Sequence, residues 1–362
     1  MPTTRAKRTT PKCPRCHGRE LVRLSVEGHE IDVCDRCGGL WCESWRWDES
    51  RLGNAPVVGP FQERAPDIVS AGPSKLPCPE CSAALTTLHV KAVDGLEIDQ
   101  CDQCGGIWFD HREWDYLEAL RSWQSHNDAS DRPTSWGEWF FQILLRLPVE
   151  FNIPPRRVPF ATIGIVVFCF LVQLVGGFAR FSDFGVQLGT KFTPQDAFTL
   201  FTYQFVHGDW FHLFANMYFL YILGDNVEDV LGNHFYVPLF LLSGVTAALC
   251  FLLVAASGAP PLVGASGSIS GVMAAYLLLF RNAKLTFMLI IKQIKIPAWV
   301  WLTLWFGLQV AFAIYDPTAE RTHVAWIAHV AGFIVGFVFV FPLRNFLVKR
   351  HPLLHLLNAR SL

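Results

Sequence analysis

Eight of the eleven cysteines stand in four Cys-x-x-Cys pairs, Cys13/Cys16, Cys34/Cys37, Cys78/Cys81 and Cys101/Cys104, and three serines stand among glycines in "VGASGSISG", residues 263–271. The two groups suit different chemistry. Four thiolates in two close pairs make a closed tetrahedral site for a structural metal, with no open position for catalysis. A serine hydroxyl becomes a nucleophile only beside a base that takes its proton. Candidate bases are His207, His212, His323 and His329, all in otherwise apolar surroundings, with Asn216 one helical turn after His212.

The cysteine pairs belong to a duplication, because "CPRC…IDVCDRCGGLW" recurs as "CPEC…IDQCDQCGGIW". Between the pairs, "LVRLSVEGHEIDV" and "LTTLHVKAVDGLEID" each read as two strands about a turn, with Asp94-Gly95 a hairpin signal. Each unit, residues 1–51 and 77–121, is too small for much of a core, so metal binding supplies folding free energy. The units resemble zinc ribbons seen near transcription factors, which implies two structural zinc ions. Trp41 and Trp47 answer Trp108 and Trp114 in matching tails and read as padding of each ribbon. The start is basic (Arg5, Lys7, Arg8, Lys12, Arg15), but the second unit is acidic and lacks aromatic-basic interleaving, which argues against nucleic acid. A protein partner on the cytoplasmic side, recruited or regulated through the ribbons, is the expectation.

Around these sites the composition is uneven. The chain is 51% apolar and 17% charged with net charge -1, which excludes an ordinary soluble protein and a strongly electrostatic partner. Residues 52–76 read as a linker, and residues 122–157 as a second linker leading into a surface-lying helix over 136–151. Apolar segments follow at 158–178, 210–224, 235–256, 267–280, 298–314 and 324–342, so residues 158–347 are expected to form a six-pass, all-α membrane domain, with 348–362 a tail. Arg281, Lys284, Lys292 and Lys295, and then Arg344, Lys349, Arg350 and Arg360, put those loops and both termini in the cytoplasm. No apolar core follows the basic start, so no cleavable signal is expected. A reducing compartment then suits zinc over disulfides.

The fourth segment is apolar for only about 14 residues, near 21 Å of helix. It cannot span alone, so the irregular backbone before it dips below the surface, which lipid tolerates only where protein or water surrounds it. Ser266 thereby falls at a helix start, within the membrane plane and beside water. Gly267, Gly271 and Ala275 form one stripe, and Ala328, Gly332 and Gly336 another, each at four-residue intervals. Small residues so spaced let helices approach closely. Ser266 and His329 adjoin the first members of the stripes, so docking brings hydroxyl to imidazole. No intramembrane carboxylate is at hand to orient the histidine, which leaves a Ser-His dyad. His212 and Asn216 point the same way and could donate to an oxyanion, with the backbone N–H of Ser266. A histidine at a helix end can also serve only to bond a neighbour, the alternative for His207 and His323.

Taken in order, "HGDWFHLFANM", "GASGSISG" and "AHVAGFIVG" over residues 155–347 resemble the rhomboid intramembrane serine proteases. The resemblance implies that Ser266 is the nucleophile, His329 the base, and His212 and Asn216 the oxyanion donors. It makes His207 structural and leaves Ser268 and Ser270 as small packing residues. It further implies hydrolysis of a peptide bond in or beside a substrate's transmembrane helix, with no cofactor for catalysis; a bacterial inner membrane is the expected location. Two features depart from the family: Ser270 stands where some rhomboids have an aromatic stacked on the histidine, and the first outer loop lacks a Trp-Arg pair. The rival from another class is a non-catalytic relative that binds membrane proteins for quality control. A transporter would need paired intramembrane charges, which are missing.

Overall fold

A computed structural model describes residues 10–16, 18–26, 29–42, 68–90, 97–111, 113, 148–150, 157–177, 184–186, 194–255, 261–289, 292–322, 324–351 and 354. The chain divides into two compact units at Ser125/His126.

The first unit is one sheet. Strands β1 (Val22–Val26), β2 (His29–Val33), β3 (Leu40–Cys42), β4 (Ile68–Pro77), β5 (Ala84–Val90), β6 (Glu97–Gln100) and β7 (Ile107–Phe109) run in the order β1-β2-β3-β7-β6-β5-β4. β4 begins at Ile68, so the stretch expected to be linker up to residue 76 gives an edge strand to the second ribbon. The hairpins β1/β2 and β5/β6 fall where the sequence places them; the Asp94-Gly95 turn lies outside the described residues.

The duplicated units join through β3 and β7, which pair antiparallel with Trp41 opposite Trp108. Each tryptophan crosses to the other ribbon. A methyl on Gly39 would overlap the Trp108 ring, and one on Gly106 would overlap the Trp41 ring. Both indoles are fully buried, in one core with Leu21, Leu85 and the buried cysteines of both units. The tryptophans therefore pad the neighbouring ribbon rather than their own, because a ribbon alone has too little surface to cover a large ring. Arg15 and Asp110, 2.9 Å apart, tie the same seam. Trp47 and Trp114 lie outside the described residues.

The second unit is helical. Its elements are α1 (Phe160–Val172), extended by a π-helical turn over Gln173–Gly177, then α2 (Pro194–Thr202), α3 (Trp210–Leu231), α4 (Asn233–Val254), α5 (Ser266–Leu279), α6 (Ala298–Tyr315), α7 (Trp326–Val340) and α8 (Arg344–Arg350). Among the described residues, α4, α6 and the run from Trp326 to Arg350 are long and apolar enough to cross a membrane, while α1 and α5 are shorter apolar helices. Of the helix expected over 136–151, most lies outside the described residues, and Val149–Glu150 form a short strand, β8. β8 joins a hairpin of β9 (Lys284–Leu289) and β10 (Lys292–Pro297), in the order β10-β9-β8. The basic loop is thus a small sheet, favoured by its Thr, Phe and Ile content.

One end of the helical unit collects the caps. Glu228, near the end of α3, accepts from the N–H groups of Ala161 (2.8 Å) and Thr162 (2.7 Å), capping α1, whose own N-cap Pro159 has no side-chain acceptor. Arg344 Nε donates to Leu278 O at 2.9 Å, closing the end of α5. The positive residues of the hairpin and α8 lie at this end. The starts of α3, α5 and α7 lie at the other, where the chemistry-bearing side chains converge.

Candidate active site and metal centres

The two cysteine tetrads are assembled within the sheet, each with all four Sγ atoms within 4.8 Å of one another. Sulfur separations include 3.7 Å for Cys13–Cys37, 3.5 Å for Cys78–Cys104 and 3.4 Å for Cys81–Cys101. A tetrahedron of thiolates about 2.3 Å from zinc has edges of about 3.8 Å, so both tetrads fit the ion. The knuckles add N–H groups aimed at sulfur, Cys16 N to Cys13 at 3.2 Å and Cys81 N to Cys78 at 3.4 Å. Such donors favour the thiolate that a metal needs.

Without metal the thiols are uneven. Burial pushes Cys13 up to about 12, Cys104 up to about 11, and raises Cys78 further. Cys34 and Cys101 feel the same burial, but backbone N–H groups and neighbouring thiols outweigh it and bring each down to about 7. Loading a tetrad therefore releases protons.

In the helical unit, Ser266 is the first residue of α5, and His329 lies in the first turn of α7. Their approach follows from the small-residue stripes. A methyl on Gly332 would overlap Gly267 O, and one on Gly336 would overlap Gly271 O, so the backbones of α5 and α7 touch. Ser266 Oγ lies 2.8 Å from His329 Nε2.

Across from them stand the residues of α3. Asp209 caps that helix by accepting from His212 N at 2.7 Å, and Asn216 Nδ2 donates to His212 O at 2.9 Å. His212 and Asn216 line one cavity with Ser266 and His329, of about 530 Å³, walled also by Met273 and Trp305. Gly264, in the loop before α5, has φ +108, and a Cβ there would lie 2.7 Å from the His212 ring and 3.7 Å from Asn216 Nδ2. Only glycine fits that approach and that backbone. His207 is fully buried and its Nε2 faces Ala265 N at 3.5 Å, bracing the same loop.

The remaining serines have their hydroxyls engaged elsewhere, although Ser270 lines the cavity. Ser268 Oγ donates to Gln204 Oε1 at 2.7 Å, and Ser270 Oγ donates to Ser266 O at 2.7 Å. Aromatic cover for His329 comes from α6 and from the start of its own helix: the Trp305 ring lies 6.3 Å away and the Trp326 ring 6.0 Å away, edge-on. Trp326 is itself held by Thr322 Oγ1 at 2.7 Å, and Thr322 by Asp316, whose carboxylate also accepts three backbone N–H groups. His323 lies outside the described residues, as does most of the first outer loop.

One contact has no counterpart in the sequence reading. Gln309 of α6 is 6% exposed, and its Oε1 lies 2.8 Å from His329 Nδ1. A solitary amide in the apolar run "WFGLQVAFA" was the available signal, since a buried polar group needs a partner.

A serine hydroxyl bonded to a half-buried histidine, in a cavity within an apolar helical bundle, defines the class of a membrane-embedded serine-histidine site. Residues 194–346 match the Rhomboid domain family, and residues 12–44 and 77–119 match the transcription factor zinc-finger family. The chain is 35% identical over 148 residues to rhomboid-like protein 11, chloroplastic, of Arabidopsis thaliana, covering 40% of this chain and 52% of that one. It is 23% identical over 193 residues to rhomboid protein 1, mitochondrial, of Saccharomyces cerevisiae, covering 52% and 54%. The chain thus spans about half the length of the curated relatives it matches. The helical unit is a rhomboid domain, and two zinc-ribbon units precede it.

Proposed function

We propose that the chain is an intramembrane serine protease that cleaves transmembrane segments through an acyl-enzyme. The observation that carries this reading is the 2.8 Å contact between Ser266 Oγ and His329 Nε2 inside a cavity shared with His212 and Asn216. Ser266 Oγ attacks the scissile carbonyl carbon as its proton passes to His329 Nε2. Negative charge on the carbonyl oxygen is met by His212, Asn216 and the N–H of Ser266, which, at a helix start, has no intrahelical acceptor. His329 then protonates the leaving amine, and water admitted to the cavity releases the acyl group by the same steps in reverse. The substrate helix must unwind for its carbonyl to arrive, which favours small or helix-breaking residues near the cut.

The domain crosses the membrane six times, with both termini and the basic hairpin on the cytoplasmic side of a bacterial inner membrane. Each ribbon holds one structural zinc ion, and the pair recruits or regulates by gripping cytoplasmic parts of substrates or a protein partner. The second reading, a non-catalytic quality-control binder, has no use for a nucleophile and base kept in hydrogen-bond contact within lipid.

The test is Ser266→Ala. The variant should fold, lose cleavage of a reporter transmembrane segment and escape a fluorophosphonate probe that labels the unaltered protein. Equal cleavage and labelling of both proteins overturns the reading.

A further inference from the structure

Resting on the protease reading, we infer that Gln309 is a third member of the site, a positioning residue that fixes the tautomer and orientation of His329. The argument is one of donors and acceptors. Gln309 Oε1 can only accept, so the 2.8 Å contact requires the proton on His329 Nδ1. A neutral imidazole with its proton on Nδ1 has its lone pair on Nε2, the atom 2.8 Å from Ser266 Oγ. That is the form able to take the serine proton. The reverse tautomer would point an N–H at the hydroxyl and leave it no base.

Among the described residues, nothing else around the ring supplies this bond. Trp305 and Trp326 offer the imidazole only their ring faces or edges, and Ser270, the neighbour on α5, spends its hydroxyl on Ser266 O. Gln309 itself sits in an apolar helix with 6% exposure, where an amide would cost free energy without its partner. A neutral amide also suits the setting. A carboxylate at the same place would carry a buried charge while the histidine is neutral, whereas the amide is uncharged at rest. When the imidazolium forms, the Nδ1–H···Oε1 bond becomes charge-assisted and strengthens. The pair at Ser266 and His329 is accordingly a Ser-His-Gln relay of orientation in which only the first two exchange a proton.

Two variants of the full chain and two readouts test this. Gln309→Leu keeps the volume and removes the acceptor; kcat on a reporter segment should fall about 10- to 100-fold with KM unchanged, a fraction of what a general base contributes. Gln309→Glu keeps an acceptor at the same reach and, despite its buried charge, should lose less activity than Gln309→Leu. Independently of turnover, ¹⁵N spectra of histidine-labelled protein in micelles should show His329 protonated on Nδ1 and a changed tautomer in Gln309→Leu. Wild-type turnover and an unchanged spectrum in Gln309→Leu overturn the inference, as does an equal fall in both variants, which marks a merely structural role. If the unaltered protein neither cleaves reporters nor takes the fluorophosphonate, the protease reading fails instead, and the spectra still decide where the His329 proton lies.

Discussion

In the ribbon unit, the sulfur atoms of one tetrad come from residues at most 26 apart, Cys78 and Cys104, on knuckles whose spacing is written in the chain. In the helical unit, Ser266 and His329 are 63 residues apart and meet because glycine backbones touch. The first site brings its own folding energy when metal binds. The second has no such source and exists only where packing holds it. One is therefore sensitive to its ligand and tolerant of its surroundings, and the other is the reverse.

The largest expected effect breaks the first half of that contrast. Removing zinc with a strong chelator should cost the ribbon unit about 10–16 kcal/mol per site and unfold it, while the helical unit keeps its melting transition and probe labelling. Hydrogen-exchange protection of the ribbon amides measures the first and fluorophosphonate labelling the second. Loss of labelling on chelation would show that the sites are not independent.

Next in size is Trp108→Ala, expected to destabilise the ribbon unit by about 3–5 kcal/mol in the zinc-bound state. Because each tryptophan covers the other ribbon, zinc release from both tetrads should speed up, not only from the one bearing the mutation. Release confined to the Cys78 tetrad would mean that the ribbons act singly.

The packing half of the contrast is sharpened by Gly332→Ala. Its methyl overlaps Gly267 O, and overpacking of this kind costs about 1–3 kcal/mol. The larger consequence is separation of α5 from α7, so labelling of Ser266 should slow at least about tenfold. Gly307→Ala, where the added methyl meets open space, is the control and should label normally. Equal labelling in both variants would remove the packing argument.

The last effect concerns the pH dependence set by Glu113. Burial pushes its carboxyl up to about 8 from an ordinary 4.5, against the backbone N–H of Asp110 at 2.6 Å. Between those values the unfolded chain has given up a proton that the folded ribbon keeps, so the Glu113 contribution to ribbon stability falls as pH rises from 4.5 to about 8 and then levels, opposing the rise that thiol deprotonation gives zinc binding. Glu113→Gln should remove that opposing contribution and steepen the rise of stability with pH in denaturant melts at fixed zinc. An unchanged slope would place the titration elsewhere.

Much of this arrangement was legible in the sequence. The cysteine pairs and their repeat, the short fourth helix, and the facing stripes of small residues are local patterns. They needed only periodicity and ligand spacing. What lay beyond them is instructive. The exchange of Trp41 and Trp108 between ribbons depends on partners distant in sequence, whereas the strand at Ile68–Pro77 and the β-hairpin in the basic loop pair with near neighbours, and proline, glycine and charge hid their pattern. The partner of His329 was missed because an acidic group was sought and a neutral amide stands there instead.

The sequence by itself determined which atoms could bind metal, which hydroxyl lay at a helix start beside glycine, and which imidazole shared the spacing of its stripe, since each follows from residue type and helical period. Only the tertiary structure decided that α6 delivers an amide to the far side of that imidazole and that the ribbons share one core. A hydrogen bond between helices is a matter of ångströms in three dimensions, and no one-dimensional period encodes it.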